Sequence, residues 1–178
     1  MIIFMGIAGS GKSTMGHLMA AHLHCPWIST GNLLRQKMDA ATQAQMLKGE
    51  IISDEQTLEV LDEEFRRIGA DSTQFVLDGS PRTMRQARWL VEMDHSGELK
   101  ISAIIHLEIS KEVAKQRLLA RQRPDDHDAA IAERFREYDE NIVPILKYLD
   151  EQGYKVHHID SSVSPEATVE AIEKAMGE

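Results

Sequence analysis

The stretch GIAGSGKST, residues 6–14, constrains this chain more than any other feature. It follows the spacing G-x-x-x-x-G-K-[ST], which is typical of a loop whose backbone N–H groups and lysine hold nucleotide phosphates. An apolar run precedes the loop and a helix-patterned segment follows it, so a helix N-terminus adds positive charge at the phosphates. A plain glycine-rich turn is the alternative. The sequence therefore predicts a nucleotide-binding α/β domain.

Short apolar runs alternate with helix-patterned segments along the chain. The predicted strands are Ile2–Met5, Trp27-Ile28, Phe75–Leu77, Ile101–Ile109 and Val156–Ile159. The predicted helices are Lys12–Leu23, Gly31–Met38, Asp54–Ile68, Met84–Val91, Lys111–Ala120, Asp128–Glu151 and Pro165–Met176. This alternation favours parallel strands with crossover helices on both faces of the sheet. Pro144 falls inside the longest helix, which we expect to kink there.

Composition limits the partners and the compartment. A net charge of −9 disfavours nucleic acid and anionic membranes as partners. The apolar start MIIFMGIAG lacks a basic flank and predicts a buried strand of a cytoplasmic protein rather than a signal or anchor. A single cysteine, Cys25, excludes an internal disulfide and suggests a half-buried apolar side chain. We expect no histidine metal site, because the eight histidines lack ligand spacing and His157 and His158 would point to opposite faces of a strand.

A second informative stretch is FVLDGSPRTMRQARWL, residues 75–90. Its apolar strand ends in Asp78, at the sheet edge where ligands of open α/β folds bind and where an acid orients Mg²⁺ and its waters. Gly79 and Pro81 then predict a turn that brings Arg82 into the same crevice. Taken singly, Asp78 as a helix cap and Arg82 as the partner of a surface acid are alternatives.

Together these stretches resemble the adenylate kinase family of nucleoside monophosphate kinases. The family's phosphate loop is similar to residues 6–14, its T-G-D-x-L-R motif to residues 30–35, and its D-G-F-P-R-T-x-x-Q-A motif to residues 78–87. RLLARQRPDD and ERFREY are similar, in order, to the family's R-x-x-x-R, R-x-D-D and R-L-x-x-Y elements. The resemblance extends over essentially the whole chain.

The resemblance implies a P-loop NTPase-type α/β fold: a three-layer sandwich in which a five-stranded parallel sheet lies between helices. It implies one kinase domain, residues 1–178, with a small helical monophosphate-binding insertion at about residues 30–59 and a short lid at about residues 121–127. Some relatives have a longer lid with a zinc-binding cysteine set, which one cysteine cannot form. The implied reaction is reversible phosphoryl transfer from Mg-ATP to AMP, giving two ADP, in a monomer.

The resemblance also assigns the site residues. Many are cationic, as expected for phosphoryl transfer, because its loose transition state is stabilised mainly by alignment and charge. The catalytic cations are Lys12, Arg82, Arg121, Arg123 and Arg134. The ATP-binding residues are Gly9, Ser10, Gly11, Lys12, Ser13, Thr14, Arg117, Arg121 and Val163, with Arg117 expected to stack on adenine. The AMP-binding residues are Thr30, Gly31, Arg35, Glu50, Ile51, Ile52, Gly79, Arg82, Gln86, Arg123 and Arg134. Thr14 and Asp78 are expected to hold Mg²⁺, directly or through water, with the Ser13 hydroxyl as the alternative to that of Thr14. For the arginines, a solvated basic face is the alternative.

Two positions favour adenine in the acceptor. The amide of Gln86 both donates and accepts, which matches the ring nitrogen and exocyclic amine of adenine, although an exposed helix residue is the alternative. Pyrimidine-directed relatives typically have asparagine there, and serine or alanine in place of Thr30.

Three positions depart from the family pattern. Asn32 replaces an aspartate, Ser80 an aromatic residue and Ala8 a proline, and none of these changes removes a phosphate ligand. They leave open a kinase directed to UMP or CMP and a non-catalytic nucleotide-binding regulatory module. A small-metabolite kinase of the shikimate or gluconate type shares the phosphate loop but does not explain the two acceptor motifs.

Overall fold

The computed structural model describes residues 1–37, 39–48 and 50–177, and its centre is one parallel sheet. Its five strands lie in the order β2-β3-β1-β4-β5. They are β1 (Ile2–Gly6), β2 (Trp27–Ser29), β3 (Val76–Asp78), β4 (Ala103–Glu108) and β5 (Val156–Asp160). All five predicted strands and the parallel α/β fold are confirmed. The chain leaves β1 toward one side of the sheet and later returns to its other side, which opens a crevice beyond the C-terminal ends of β1, β3 and β4.

Nine α-helices surround the sheet within the described residues. They are α1 (Lys12–His22), α2 (Thr30–Lys37), α3 (Ala40–Leu47), α4 (Asp54–Ile68), α5 (Met84–Ser96), α6 (Lys111–Arg121), α7 (Asp128–Glu137), α8 (Val143–Glu151) and α9 (Pro165–Met176). The sequence analysis missed α3, in which only Thr42 is buried, so it has no apolar stripe to detect. The helix predicted over residues 31–38 ended at Met38, which lies outside the described residues.

The long helix predicted over residues 128–151 is interrupted rather than continuous. A single π-helical turn, Tyr138–Ile142, separates α7 from α8. Pro144 has no N–H to donate to the carbonyl of residue 140, which lies inside this turn. The predicted disturbance is therefore present, but it falls upstream of the proline and takes the form of a wider turn.

The core has two layers, one on each face of the sheet. Ile2 and Phe4 pack toward α1 and α9, whereas Ile3 and Met5 pack toward α4, α5 and α8. Alternation along β1 thus serves both layers, as expected for a strand buried on both faces. Cys25 is half-buried against the first layer. No helix in the described parts of the chain has the length and apolarity needed to cross a membrane.

A small apolar cluster lies between the predicted insertion, residues 30–59, and α4. Leu34, Ile52 and Val60 form it, with Leu33 and Met46 packed against it. Val60 lies on α4, and Leu33 also packs against the layer that contains Ile3 and Met5, so the cluster joins α2 and α3 to the rest of the domain beside the crevice.

Candidate active site

A cleft of about 430 Å³ lies at the C-terminal ends of the central strands. The phosphate loop, the insertion, the turn after β3 and the short lid form its walls, and its size is ordinary for a small-molecule site. Every site residue assigned from the sequence lines it except Ser10 and Val163. Ser10 is fully buried beneath the loop, and Val163 lies 45% exposed in the connection between β5 and α9. Val163 does not line this cleft, and its assignment to the ATP site stays a prediction.

The phosphate loop requires glycine for two different reasons. Gly6, Gly9 and Gly11 have φ values of 144°, 88° and 93°. A Cβ at Gly6 would lie 2.5 Å from the Leu107 carbonyl oxygen, and one at Gly9 would lie 2.6 Å from the Ala114 carbonyl oxygen. A Cβ at Gly11 would meet no atom, so its left-handed backbone alone selects glycine. These glycines let the loop pack closely against β4 and α6.

Lys12 folds back over this loop. Its Nζ donates to the carbonyl oxygens of Gly6 and Ile7, both at 2.8 Å. Burial lowers the pKa of Lys12 from 10.5 to about 8, and nearby Asp78 opposes this shift only partly. The site thus holds a poorly solvated cation, which gains a partner when a polyphosphate is bound.

Ser13 is the one of the two candidate hydroxyls, Ser13 and Thr14, that contacts Asp78. Its hydroxyl donates to Asp78 Oδ2 at 2.6 Å, and Asp78 is 3% exposed at the end of β3. Thr14 lines the cleft but has no described hydrogen bond to Asp78. In the loop pattern Ser13 directly follows the lysine, so the position was readable from the sequence. The hydrogen bond to Asp78 favours Ser13 as the hydroxyl that faces a metal, while the assignment of Thr14 stays a prediction.

Arg82 is held by a carboxylate that the sequence analysis missed. Its Nε donates to Glu137 Oε1 at 2.7 Å and its Nη2 donates to Oε2. Glu137 is 6% exposed on α7, 55 residues away in sequence. The one available signal was that Glu137 lies three residues after Arg134, on the same face of the helix.

Gln86 is buried rather than exposed, so the alternative of an exposed helix residue is wrong. It is 2% exposed, and its side-chain carbonyl accepts the Arg82 N–H at 2.8 Å. Its Nε2 donates to Asp54 Oδ1 at 3.0 Å, and the same oxygen accepts from Thr83 Oγ1 at 2.6 Å. An amide has two N–H groups and two acceptor lone pairs, so one of each remains for a ligand in the cleft.

Two adjacent aspartates organise the lid between α6 and α7. Asp126 accepts from Arg121 Nε at 2.8 Å and Nη2 at 2.6 Å, and its side chain is fully buried. Asp125 pairs with Arg134. Burial alone would raise the pKa of Asp126, but the hydrogen bonds from Arg121 and from the Arg123 N–H hold it below its ordinary value. The guanidinium groups of Arg121 and Arg134 are therefore held in place before any anion binds.

Positive charge is concentrated where the lid faces the insertion. The backbone N–H of Arg123 donates to Asp126 Oδ2 at 3.1 Å, while its guanidinium has no partner among the described residues. Arg35 donates to Asn32 Oδ1 at 2.6 Å, so the asparagine still orients the arginine. The pKa of Arg35 is lowered, first by burial and then by Arg123, with Arg121 and Arg134 adding to the effect. Such mutual repulsion marks a place suited to an anion.

The acceptor side of the cleft also has apolar walls and unpaired hydroxyls. Thr30 and Ser80 are each 2% exposed, and their hydroxyls find no partner among the described residues. This side is lined by Glu50, Ile51 and Ile52, as the sequence analysis assigned. It is also lined by Met46 and Thr57, which the sequence analysis did not assign to the site. The missed residues lie on helices whose position beside the cleft depends on tertiary packing, so no local pattern indicated them.

Comparisons with known proteins agree with this geometry. The sequence profile of the family described as Adenylate kinase matches residues 4–154. Adenylate kinase 1 of Synechocystis sp. is 35% identical over 181 residues, covering 97% of this chain and 95% of that protein. Adenylate kinase of Corynebacterium urealyticum is 35% identical over 176 residues, covering 96% and 95%. Adenylate kinase of Mycobacterium tuberculosis is 32% identical over 157 residues, covering 85% and 86%.

Proposed function

Because this chain belongs to the adenylate kinase family, we propose that it catalyses reversible transfer of the γ-phosphoryl group of Mg-ATP to AMP, giving two ADP. An oxygen of the AMP phosphate forms a bond to the γ-phosphorus as the bond to the departing ADP oxygen breaks. The main support for the proposal is that the phosphate loop, the acceptor motifs and the lid arginines all line one cleft.

The cations divide between the two substrates. Lys12 binds the β- and γ-phosphates, Arg35 and Arg82 bind the phosphate of AMP, and the lid arginines surround the group in transfer. Arg121 and Arg134 are already held by Asp126 and Asp125, which supports a preorganised role because little reorganisation is then needed during the reaction. Alignment and charge suffice for a loose transition state, so no general base is required.

Ser13 and Asp78 suit a magnesium ion that arrives with ATP. Their oxygens lie 2.6 Å apart next to the phosphate loop, and both are hard donors of the kind that Mg²⁺ accepts directly or through its waters. The ion neutralises phosphate charge when bound. Ser13 and Asp78 themselves fix the position of that charge between the loop and the end of β3.

Closure of the cleft is proposed to come mainly from the insertion. Leu34 and Ile52 of the insertion are held to α4 by a small apolar cluster with Val60, and residues 122–127 form only a short connection between α6 and α7. His127 Nε2 lies 3.3 Å from the Leu47 carbonyl oxygen, so the two walls already touch. The lid then needs only a loop and helix-end movement over the reacting phosphates, which excludes water.

Direct measurement of ADP formation tests the proposal. ATP is supplied with AMP, CMP, UMP, dAMP, shikimate or gluconate in turn, and Lys12→Ala serves as the inactive control. We expect turnover that depends on the acceptor and is fastest with AMP. Tight ATP binding without acceptor-dependent ADP would favour a regulatory module, and turnover only with shikimate or gluconate would favour a metabolite kinase. The monomeric state and cytoplasmic location remain predictions from the sequence.

A further inference from the structure

Three potential ligands meet on one face of the sheet, outside the lining of the nucleotide cleft. His106 and Glu108 lie two residues apart on β4, and His158 lies on β5 in register with His106. Side chains two residues apart in a strand share a face, and register partners on neighbouring strands lie side by side. The three side chains converge because β4 and β5 pair, although 52 residues separate the two histidines.

The distances fit three corners of a tetrahedral metal site. His106 Nδ1 lies 3.2 Å from His158 Nδ1 and 3.4 Å from Glu108 Oε1. Zinc bonds of about 2.0–2.2 Å in a tetrahedron place neighbouring ligand atoms about 3.3 Å apart. The remaining pair, His158 Nδ1 and Glu108 Oε1, lies at a hydrogen-bonding 2.7 Å and needs to open slightly. The imidazole rings stand nearly perpendicular, at 84°, so they do not block each other around a common ion.

The surroundings supply an outer partner and a path for entry. The other nitrogen of His106, Nε2, lies 2.8 Å from the Tyr138 hydroxyl. An N–H donated from Nε2 to that oxygen leaves Nδ1 with its lone pair free for a metal, which is the usual way in which outer contacts orient a ligating histidine. A separate cavity of about 320 Å³, lined by His106, Tyr138, Lys147, Asp150 and His158 among others, opens beside the cluster.

We propose that His106 Nδ1, His158 Nδ1 and Glu108 Oε1 bind one Zn²⁺ ion, with water in the fourth position. Two imidazoles and one carboxylate suit zinc, whereas Mg²⁺ prefers oxygen ligands alone and is the ion expected in the nucleotide cleft. The site joins β4 to the middle of β5, and the two strands are far apart in the unfolded chain. Zinc therefore stabilises the folded chain, because the unfolded chain does not hold the three ligands together.

Metal titration of the nucleotide-free chain tests the site. After chelator treatment, Zn²⁺ is titrated against a chromophoric chelator and Co²⁺ binding is followed by its visible spectrum. We expect one ion per chain, a Kd in the micromolar range or below, a tetrahedral Co²⁺ spectrum and a higher Tm with zinc. Absence of binding at about millimolar metal, or a Co²⁺ spectrum typical of octahedral oxygen ligands, would overturn the proposal.

Variants locate the ligands. Side chains of His158 and Glu108 are 58% and 52% exposed, so His158→Asn and Glu108→Gln are expected to fold. Each should weaken zinc binding by at least about tenfold, the least effect expected even for an outer-shell partner, and abolish the zinc-dependent rise in Tm. The matched control is His157→Asn, next to His158 but on the opposite face, which should bind like the wild type. Equal binding by His158→Asn and wild type, or loss of binding in His157→Asn, would refute the assignment.

Discussion

Arg82 and Glu137 form a two-point salt bridge between the turn after β3 and the last residue of α7. The Glu137 side chain is only 5% exposed, and both of its oxygens accept from the same guanidinium. Arginine has five N–H donors, so this pairing fixes the plane of the guanidinium while three donors remain for a phosphate. Glu137 is thus a positioning residue for the acceptor phosphate.

Glu137→Gln should weaken acceptor binding. A neutral amide replaces a charge-assisted pair and turns an NH₂ group toward the guanidinium, so we expect KM for AMP to rise about tenfold, with a smaller fall in kcat and an unchanged KM for ATP. Steady-state kinetics with each substrate varied in turn measures this. Glu133→Gln, which removes one of the two carboxylates paired with exposed Arg136, is the matched control and should behave like the wild type. An AMP KM within about twofold of wild type in Glu137→Gln would remove the positioning role.

Loss of a cation that faces the reacting phosphates should reduce kcat much more than stability. We expect Lys12→Ala and Arg123→Ala each to lower kcat at least about a hundredfold, because these charges act most strongly in the transition state. Arg66→Ala is the control, since Arg66 is 80% exposed on α4 and pairs there with Asp62. Circular dichroism and thermal melts check the fold. Activity within a few-fold of wild type in either cleft variant would contradict its role.

Features determined by local sequence were predictable. The glycines and lysine of the phosphate loop are close in sequence, and their spacing alone indicates the strand–loop–helix geometry that forms it. The same holds for the turn after β3, where Asp78 and Arg82 are four residues apart. Adjacent positions are harder to separate from the sequence: both Ser13 and Thr14 are candidates to face Mg²⁺, and one residue along a helix turns the side chain by about 100°.

Features that depend on tertiary register were not predictable from one sequence. The sequence around Arg82 does not indicate Glu137 as its partner, because the packing of α7 against the turn after β3 brings the two residues together. The sequence analysis expected no histidine metal site because His157 and His158 alternate along a strand. That reasoning compared neighbours in sequence, whereas His158 lies beside His106 of the neighbouring strand. Helix α3 was missed because it buries little apolar surface, so its sequence has no periodic stripe.

Nucleotide binding should take up a proton near pH 8. Burial lowers the pKa of Lys12 from 10.5 to about 8, so at pH 8 about half of the free chains have a neutral amine. Bound phosphates favour the charged form and raise this pKa, so affinity falls as the pH rises above 8. Calorimetric titration of ADP at pH 8 in buffers of different ionisation enthalpy should reveal an uptake of about half a proton.

Lys12→Arg is the control for this proton uptake, because arginine stays protonated at pH 8. The variant should bind ADP without the buffer-dependent heat. Equal proton uptake by wild type and Lys12→Arg would assign the proton to another group. No uptake in the wild type would mean that Lys12 is fully charged in the free chain.

The buried amide of Gln86 is the best candidate for distinguishing adenine from pyrimidines in the acceptor. Its carbonyl and amide groups are already oriented by the Arg82 N–H and by Asp54, so little side-chain entropy is lost when the remaining N–H and lone pair meet a base. A polar site of this kind disfavours a base that leaves its groups unpaired by about 1–3 kcal/mol per group. The wild type should therefore use AMP with a kcat/KM at least about tenfold above that for CMP or UMP.

Gln86→Ala should narrow that difference in acceptor preference chiefly through KM for AMP, because the amide is lost equally from the ground state and the transition state. Gln86 also supports the turn at Arg82, so the variant needs a control that disturbs the same network without removing the amide. Asp54→Asn does this: it weakens the contact to Gln86 Nε2 and Thr83 Oγ1 but leaves both groups in place. Kinetics with AMP, CMP and UMP should show a narrowed preference in Gln86→Ala and a wild-type preference in Asp54→Asn. If Gln86→Ala loses activity with AMP and CMP in equal proportion, the amide supports the Arg82 turn and does not distinguish adenine from cytosine.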